Sequence, residues 1–421
     1  MPVSYSPPDE KLKVSIPAKI YSLALSLIFL FVATNSLFVV MPSAYRGVFD
    51  IAKYGDAVNL GFGTVAAVVS IALCTTLKQC IVDSVQEKMA AVSDFLHQKN
   101  KKEWEFFNIF LSVELIILVV FWSAFYGFIL FLLADQTGLG FLLLTFIMHI
   151  IRALVVLQFC NFNIVVARRF RALNEWLISS FSTDNERSLD AGILQTLKYL
   201  QFDNSSNSLT FFGGSSFVTH SYVKEETLKA LGKTDYVGTV MRLTSVRLAH
   251  VTLCDICNTV SNAYGVQNLL EVVSCFVGTV IHLYLALVSV LNIRDVWPGE
   301  QKWLVVAMYS TWSLYQGVRV GLVAWSVSAV VGEAARTRRL ALKLHLLTRD
   351  RGGRAQLQVL ATQVYRICPA YTAAGFFTLD LALLYTFCGG VAAYLVILVQ
   401  FSVSGAYRQV IPANITTSAE C

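Results

Sequence analysis

The side chains of this chain that could recognise a ligand sit inside apolar runs. Each is costly there unless it faces protein or water. Trp122 and Tyr126 fall in one run, and Thr145, His149 and Arg152 in the next. His282 and Tyr284 come late in another, and Tyr309, Trp312, Tyr315, Gln316 and Arg319 early in the one after it. Aromatic faces stack on sugar-ring C–H groups or apolar rings, and Gln, His, Arg and Tyr supply hydrogen bonds. The chemistry these residue types offer is recognition of a small polar molecule. Two other roles stay open. Trp and Tyr mark membrane interfaces as belts. Arg152 and Arg319, each costing ~2.5–3.5 kcal/mol at mid-span on insertion scales, can form structural ion pairs with Glu271 or Asp380.

Nothing in the sequence suggests bond-making chemistry. There is no nucleophile motif, phosphate loop or cluster of metal ligands, so neither an enzyme nor a cofactor is expected. Cys254-Asp-Ile-Cys257 has the spacing of a half zinc site, but zinc takes four ligands, or three and a water, and no second pair accompanies it. Cys74, Cys160, Cys275 and Cys388 lie in or near apolar runs, where a thiol acts as a small apolar group.

These residues are carried on membrane-length segments. Of 421 residues, 56% are hydrophobic and only 14% charged, too little charge to cover a soluble protein of this size. About 20 apolar residues cross the hydrocarbon. Seven runs meet that length: Ile16–Val40, Val58–Leu77, Phe106–Leu133, Leu139–Val166, Ala263–Leu291, Trp303–Val331 and Ala374–Phe401. The fold expected is an all-α polytopic membrane protein with seven transmembrane helices. Lys and Arg fix the orientation. Lys11, Lys13, Lys19, Lys78, Lys88, Lys99, Lys101, Lys102, Arg168, Arg169, Arg171 and the basic stretch Arg336–Arg354 all fall on one side. Only Arg46, Lys53, Arg294, Lys302 and Arg408 fall on the other. The N-terminus is therefore expected in the cytosol and the C-terminus outside. The net charge of +6 is read as a topology signal, with no nucleic-acid partner. In this orientation the polar aromatics of the four runs reach a similar height, in the outer half of the bilayer.

The sequence divides into a cytosolic segment (residues 1–15), a membrane and anchor domain (16–401) and an extracellular tail (402–421). Within the domain, 182–220 reads as a mobile cytosolic loop. Residues 222–260 and 333–368 read as helical extensions into the cytosol, with Arg351-Gly-Gly-Arg354 as a turn between two of them. Residues 374–401 form the last span. Asn414-Ile-Thr416 is a glycosylation sequon on the outer side.

The last span carries a stripe. At about 100° per residue, Ala382, Thr386, Gly389, Ala393, Val396 and Gln400 share one face. A pore-lining face has this character, small for a lumen and polar at intervals for wetting. A small-residue face can equally pack helices.

Ala393-Tyr394-Leu395-Val396-Ile397-Leu398-Val399-Gln400-Phe401 resembles the signature of the insect gustatory receptors, Thr-Tyr, five apolar residues, then Gln-Phe, with Ala393 in place of Thr. Arg168-Arg169-Phe170-Arg171-Ala172-Leu173-Asn174, Asn262-Ala263-Tyr264-Gly265 and Val273-Ser274-Cys275 are similar to motifs of the fructose-receptor branch. The resemblance implies a ligand-gated, non-selective cation channel, opened by a small tastant such as a sugar, fructose first. Four identical subunits would meet at a cytosolic anchor, in the plasma membrane of chemosensory cells. It places Thr386, Gly389, Ala393, Val396, Ile397, Gln400 and Phe401 along the pore and gate. It also puts a ligand pocket in the outer half of the helix bundle, with His282 and Tyr284 at positions that look ligand-facing in the fructose branch; together with residue type and depth this gives Trp122, Tyr126, His149, Arg152, His282, Tyr284, Tyr309, Trp312, Tyr315 and Gln316 as the expected ligand-facing set. A receptor for bitter or other non-sugar compounds, and more remotely a polytopic transporter, remain as alternatives.

Overall fold

A computed structural model describes residues 16–35, 50–76, 78–96, 101–133, 139–183, 234–291, 299–347 and 351–410. The expected N-terminal segment, the loop from 184 to 220 and the Asn414 sequon lie outside these residues. The helices are α1 (Ile16–Asn35), α2 (Asp50–Thr76), α3 (Lys78–Phe95), α4 (Lys101–Leu133), α5 (Leu139–Thr183), α6 (Thr234–Val290), α7 (Gly299–Leu347), α8 (Arg351–Arg366) and α9 (Ala382–Val410). No strand is described, only an isolated bridge between Thr372 and Thr378. Among the described residues, five helices hold stretches long and apolar enough to cross a membrane, and two shorter apolar stretches, Leu23–Asn35 and Ala57–Leu73, lie in α1 and α2.

Three helices are far longer than a bilayer is thick. At 1.5 Å per residue, the 57 residues of α6 extend about 85 Å, against about 30 Å of hydrocarbon. The surplus of α5, α6 and α7 is stabilised by packing. Phe159, Phe170, Leu173 and Leu177 of α5, Leu243, Leu253 and Ile256 of α6, Leu340 and Leu344 of α7, and Leu357 and Leu360 of α8 form one continuous buried core. Polar contacts lock it. Asn174 donates to the Glu333 carbonyl at 3.0 Å and accepts from the Thr337 hydroxyl at 2.7 Å, and Arg171 pairs with Glu333 at 3.0 Å. The Arg168–Asn174 motif is thus the seam between α5 and α7.

Three expectations need correction. The last span begins at Ala382, not at 374. Residues 371–381 are a compact turn in which Ala374 (φ 51°) and Gly375 (φ 81°) adopt left-handed backbone. Asp380 then caps α9: its Oδ1 accepts from the Leu383 amide at 3.2 Å and its Oδ2 from the Thr378 hydroxyl at 3.0 Å. Asx capping satisfies a backbone donor that the helix start leaves orphaned. Asp380 therefore serves the backbone and not a buried Arg. Second, α9 runs on to Val410, so Phe401 does not end the helix and 402–410 is not tail. The polar residues after Phe401 lower hydropathy without breaking the helix. Third, Arg351-Gly-Gly-Arg354 is the first turn of α8. Two glycines cost about 1 kcal/mol each in a helix, but burial of Gly353, Leu357, Leu360, Ala361 and Val364 outweighs that.

Candidate functional site

The side chains singled out from α4, α5, α6 and α7 converge. Trp122 is the hub. Its ring centroid lies 5.0 Å from His149, 4.7 Å from Tyr315, 5.5 Å from Trp312 and 5.6 Å from Tyr126. His149 and Trp312 approach to 4.6 Å, and the Trp312 ring leads on to His282 at 5.6 Å, which leads to Tyr309 at 5.9 Å. Trp122, Tyr126, His149 and His282 are buried, and Trp312, Tyr315 and Tyr309 partly so. An interface belt would spread such rings around the outside of the bundle. Here they point inward and meet one another, which favours the ligand or core role over the belt.

Hydrogen bonding fixes the form of His149. Its Nδ1 lies 2.6 Å from the Thr145 carbonyl oxygen. A carbonyl only accepts, so Nδ1 carries the proton, and in the neutral ring Nε2 then bears a lone pair. That Nε2 is buried with no protein partner. His282 Nδ1 likewise donates to the Gly278 carbonyl. The indole N–H of Trp312 and Gln316 Nε2 are also buried and unpartnered. The cluster therefore offers an acceptor and donors beside stacked rings, the complement of a small hydroxyl-bearing molecule.

Beneath the rings lies an ionic layer. Arg152 Nε donates to Glu271 Oε2 at 3.1 Å, and Arg152 Nη2 donates to Ser274 Oγ at 2.8 Å. Arg319 pairs with Glu271 Oε1 through Nη2 and donates to Gln316 Oε1 at 3.1 Å through Nη1. The Cys275 thiol donates to Gln316 Oε1 at 3.2 Å. Glu271 is thus the partner of both arginines. The Val273-Ser274-Cys275 motif supplies the hydrogen bonds around that pair.

Tyr284 stands apart from the rings. It is buried on the other side of α6, where its hydroxyl bonds Ser402 of α9. It joins the site to the last helix and is not grouped with the stacked rings.

α9 packs on α6 through Phe387, Val391, Leu395, Leu398 and Ser402. The stripe residues Ala382, Thr386, Gly389, Ala393, Val396 and Gln400 are all exposed. By helical geometry they lie about 180° from the packed face. Ile397 and Phe401 are exposed to one side of the stripe. A membrane helix that leaves its smallest, most polar face away from its own bundle leaves it for water or another subunit.

The start of α9 is held by Ser261 and the Asn262–Gly265 motif that follows it. Ser261 Oγ accepts from the Thr372 amide at 3.1 Å, and Tyr264 is buried against Phe159 at 5.5 Å between ring centroids. Gly265 meets the turn itself: a Cβ there would lie 3.0 Å from the Ala374 nitrogen. The motif is glycine-terminated because backbone passes over backbone. This junction is not singled out from the sequence, nor is Asn59 of α2, whose Oδ1 lies with Gln316 Nε2 beside Gly278, nor Phe125 of α4, whose ring is 5.2 Å from that of Trp312. Phe125 had a signal, lying three residues after Trp122 on one helical face; Asn59 had none. At the Cys254/Cys257 pair, the His250 ring nitrogen lies 3.7 Å from Cys254 Sγ. Among the described residues no three His, Cys, Asp or Glu are arranged to hold a metal.

Residues 1–405 match the family model of the 7tm chemosensory receptors. A stretch of 154 residues, 36% of this chain, is 28% identical to the Drosophila melanogaster protein named gustatory receptor 28a, and spans only 34% of that protein's length. In three dimensions the chain is similar to the insect olfactory receptor OR5 from Machilis hrabei, with a TM-score of 0.58 at 13% identity. Against that receptor in complex with eugenol the TM-score is 0.56 at 12% identity. Both superpositions cover 94% of this chain and 93% of the other.

Proposed function

The chain belongs to the 7tm chemosensory receptor family, the family of the insect gustatory and olfactory receptors, and on that premise we propose that it is a ligand-gated, non-selective cation channel. It is a multi-pass membrane receptor and not an enzyme. We assign it to the plasma membrane of chemosensory cells, with the N-terminus cytosolic and the C-terminus outside. Four copies surround one axis, with the α9 stripe facing it and Gln400 and Phe401 at the constriction. The observation that carries this reading is the orientation of α9, whose exposed stripe is opposite its packed face. One helix cannot enclose an aqueous path, so copies must share it.

The ligand is a small molecule held at the Trp122–His149–Trp312 rings. The complex of the similar olfactory receptor with eugenol supports a small organic ligand in this fold. The unpartnered His149 Nε2 and Trp312 Nε1 support one bearing hydroxyls. A sugar such as fructose meets that requirement, and so do bitter phenolic or alcoholic compounds. A hydroxyl would donate to the imidazole and accept from the indole. Binding can open the pore only by favouring the open state with higher affinity.

The test is to express the chain alone in cells lacking other chemoreceptors and apply fructose, then a panel of hydroxylated compounds. The reading expects unitary, ligand-evoked currents carried by Na⁺ and K⁺ down their gradients. Uptake of the compound without unitary openings would identify a transporter instead.

A further inference from the structure

The buried ionic layer is unbalanced. Two guanidiniums, Arg152 at 1% exposure and Arg319 at 3%, share the single carboxylate of Glu271, at 7%. Arginine does not deprotonate in proteins, so among the described residues the layer carries one uncompensated positive charge. The other groups around it do not supply the missing negative charge. Ser274, Cys275, Gln316 and the Tyr315 ring under the Arg319 guanidinium at 5.3 Å are neutral, as are Tyr126 and His149 above. A buried charge without a counter-charge is among the costliest arrangements a protein interior can hold, and more so within a bilayer.

Hydrogen bonding points the same way. Arg319 Nε is buried with no partner, and so is Gln316 Nε2. The second of these has a neighbour: Gln316 Nε2 and Asn59 Oδ1 both approach Gly278, at 2.9 and 3.0 Å from where a Cβ would stand. A neutral carbonyl can take that donor but cannot neutralise the charge. The deficit that remains, one negative charge and an acceptor for Arg319 Nε, is the signature of an anion.

We propose that a small monoanion binds between Arg319 and Gln316, beneath the aromatic rings. Two sources share this chemistry: an inorganic halide bound below a neutral ligand, or a carboxylate carried by the ligand. The proposal rests on the ligand site proposed above only for its place in the bundle. Because binding is read directly, failure of the channel reading leaves it standing.

The test uses the full-length protein in lipid nanodiscs. Unfolding is followed while chloride replaces the bulky anion HEPES at constant ionic strength. A ligand that binds only the folded state raises the midpoint with concentration. We expect a saturable rise on the order of a few degrees, and its loss in Arg319→Gln. A parallel arm compares benzoate with benzyl alcohol, its neutral analogue. A rise with chloride assigns a halide. A rise with benzoate alone, absent with benzyl alcohol, assigns a ligand carboxylate.

Should Arg319→Gln fail to fold, Arg319→Lys keeps the charge and is expected to keep the rise at a several-fold higher anion concentration. Iodide on the wild-type protein gives a second readout. Trp312 lies one turn from Gln316, so bound iodide quenches tryptophan fluorescence saturably and chloride competes. Midpoints indifferent to both anions, equal shifts in wild type and Arg319→Gln, or purely linear quenching would overturn the proposal.

Discussion

The hydroxyls of Tyr284 and Ser402 hydrogen-bond across the α6–α9 interface, both buried. Tyr284 lies two residues beyond His282, which stacks towards Trp312, and Ser402 directly follows Phe401. A single hydrogen bond thus joins the helix that lines the ring cluster to the turn of helix that bears the proposed gate. Tyr284→Phe and Ser402→Ala each remove it with little change in shape. A buried hydrogen bond contributes about 0.5–1.5 kcal/mol, so each variant is expected to move the closed–open balance up to about tenfold. Ligand affinity of the closed state should hold. The double variant should cost no more than either single one, read from maximal open probability. Fully additive effects would show that the bond does not link the two helices energetically.

Trp312→Ala and His149→Ala test the ring cluster. Both remove packing within the cluster and an unpartnered polar atom. The expected result is a tenfold or greater rise in half-maximal agonist concentration at unchanged surface expression. His149→Gln separates hydrogen bonding from ring bulk, since its amide oxygen reaches the position of the Nε2 acceptor. Unaltered dose–response in all three variants would move the ligand elsewhere.

Gly265→Ala tests the junction that seats α9. The new methyl would stand 3.0 Å from the Ala374 nitrogen and 3.3 Å from its Cα, and backbone cannot yield as a side-chain tip can. Overpacking of this kind costs about 1–3 kcal/mol. The variant should unfold at lower temperature and lose ligand-evoked current per channel at the surface. Gly317→Ala, where a Cβ meets nothing within 4 Å, is the matched control and should behave as wild type.

Much of this arrangement was legible in the sequence. The seven apolar runs, the continuation of spans into long extensions and the shared depth of the Trp and Tyr residues all follow from period and hydropathy, which act along one helix at a time. What escaped reading depends on contacts between distant segments. Residues 374–381 are apolar enough to continue a span, yet the Asp380 cap and the Gly265–Ala374 approach make them a turn. Tyr284 has the residue type and position of a ligand contact, and only the assembled helices show its hydroxyl bonded to Ser402. Glu271 was visible as a partner for an arginine, but that it serves two at once is a property of three helices together.

Glu271→Gln follows from that shared role. Removing the carboxylate takes away the protein counter-charge that the two buried guanidiniums share, and breaking a buried pair in this way costs about 3–5 kcal/mol. The variant is expected to be retained inside the cell and to show little surface protein. Glu333→Gln is the comparison. Its partner Arg171 is largely exposed, and exposed pairs contribute about 0–1 kcal/mol, although Glu333 also pairs with Arg336 at 3.6 Å and accepts from Asn174. Normal surface levels of Glu271→Gln would mean that the ionic layer is neutralised some other way.

The claim that α9 lines an ion path is tested most directly by cysteine accessibility, in a Cys388→Ser background because Cys388 is exposed on this helix. Gln400→Cys and Ala393→Cys, on the stripe, are compared with Leu395→Cys, on the face packed against α6. A water-soluble cationic methanethiosulfonate is applied during agonist-evoked current. The account predicts rapid, irreversible block at Gln400→Cys and Ala393→Cys, faster with agonist than without, and no effect at Leu395→Cys. Currents of normal size that the reagent leaves untouched at both stripe positions would contradict it, because water and cations would then be passing somewhere other than along this helix.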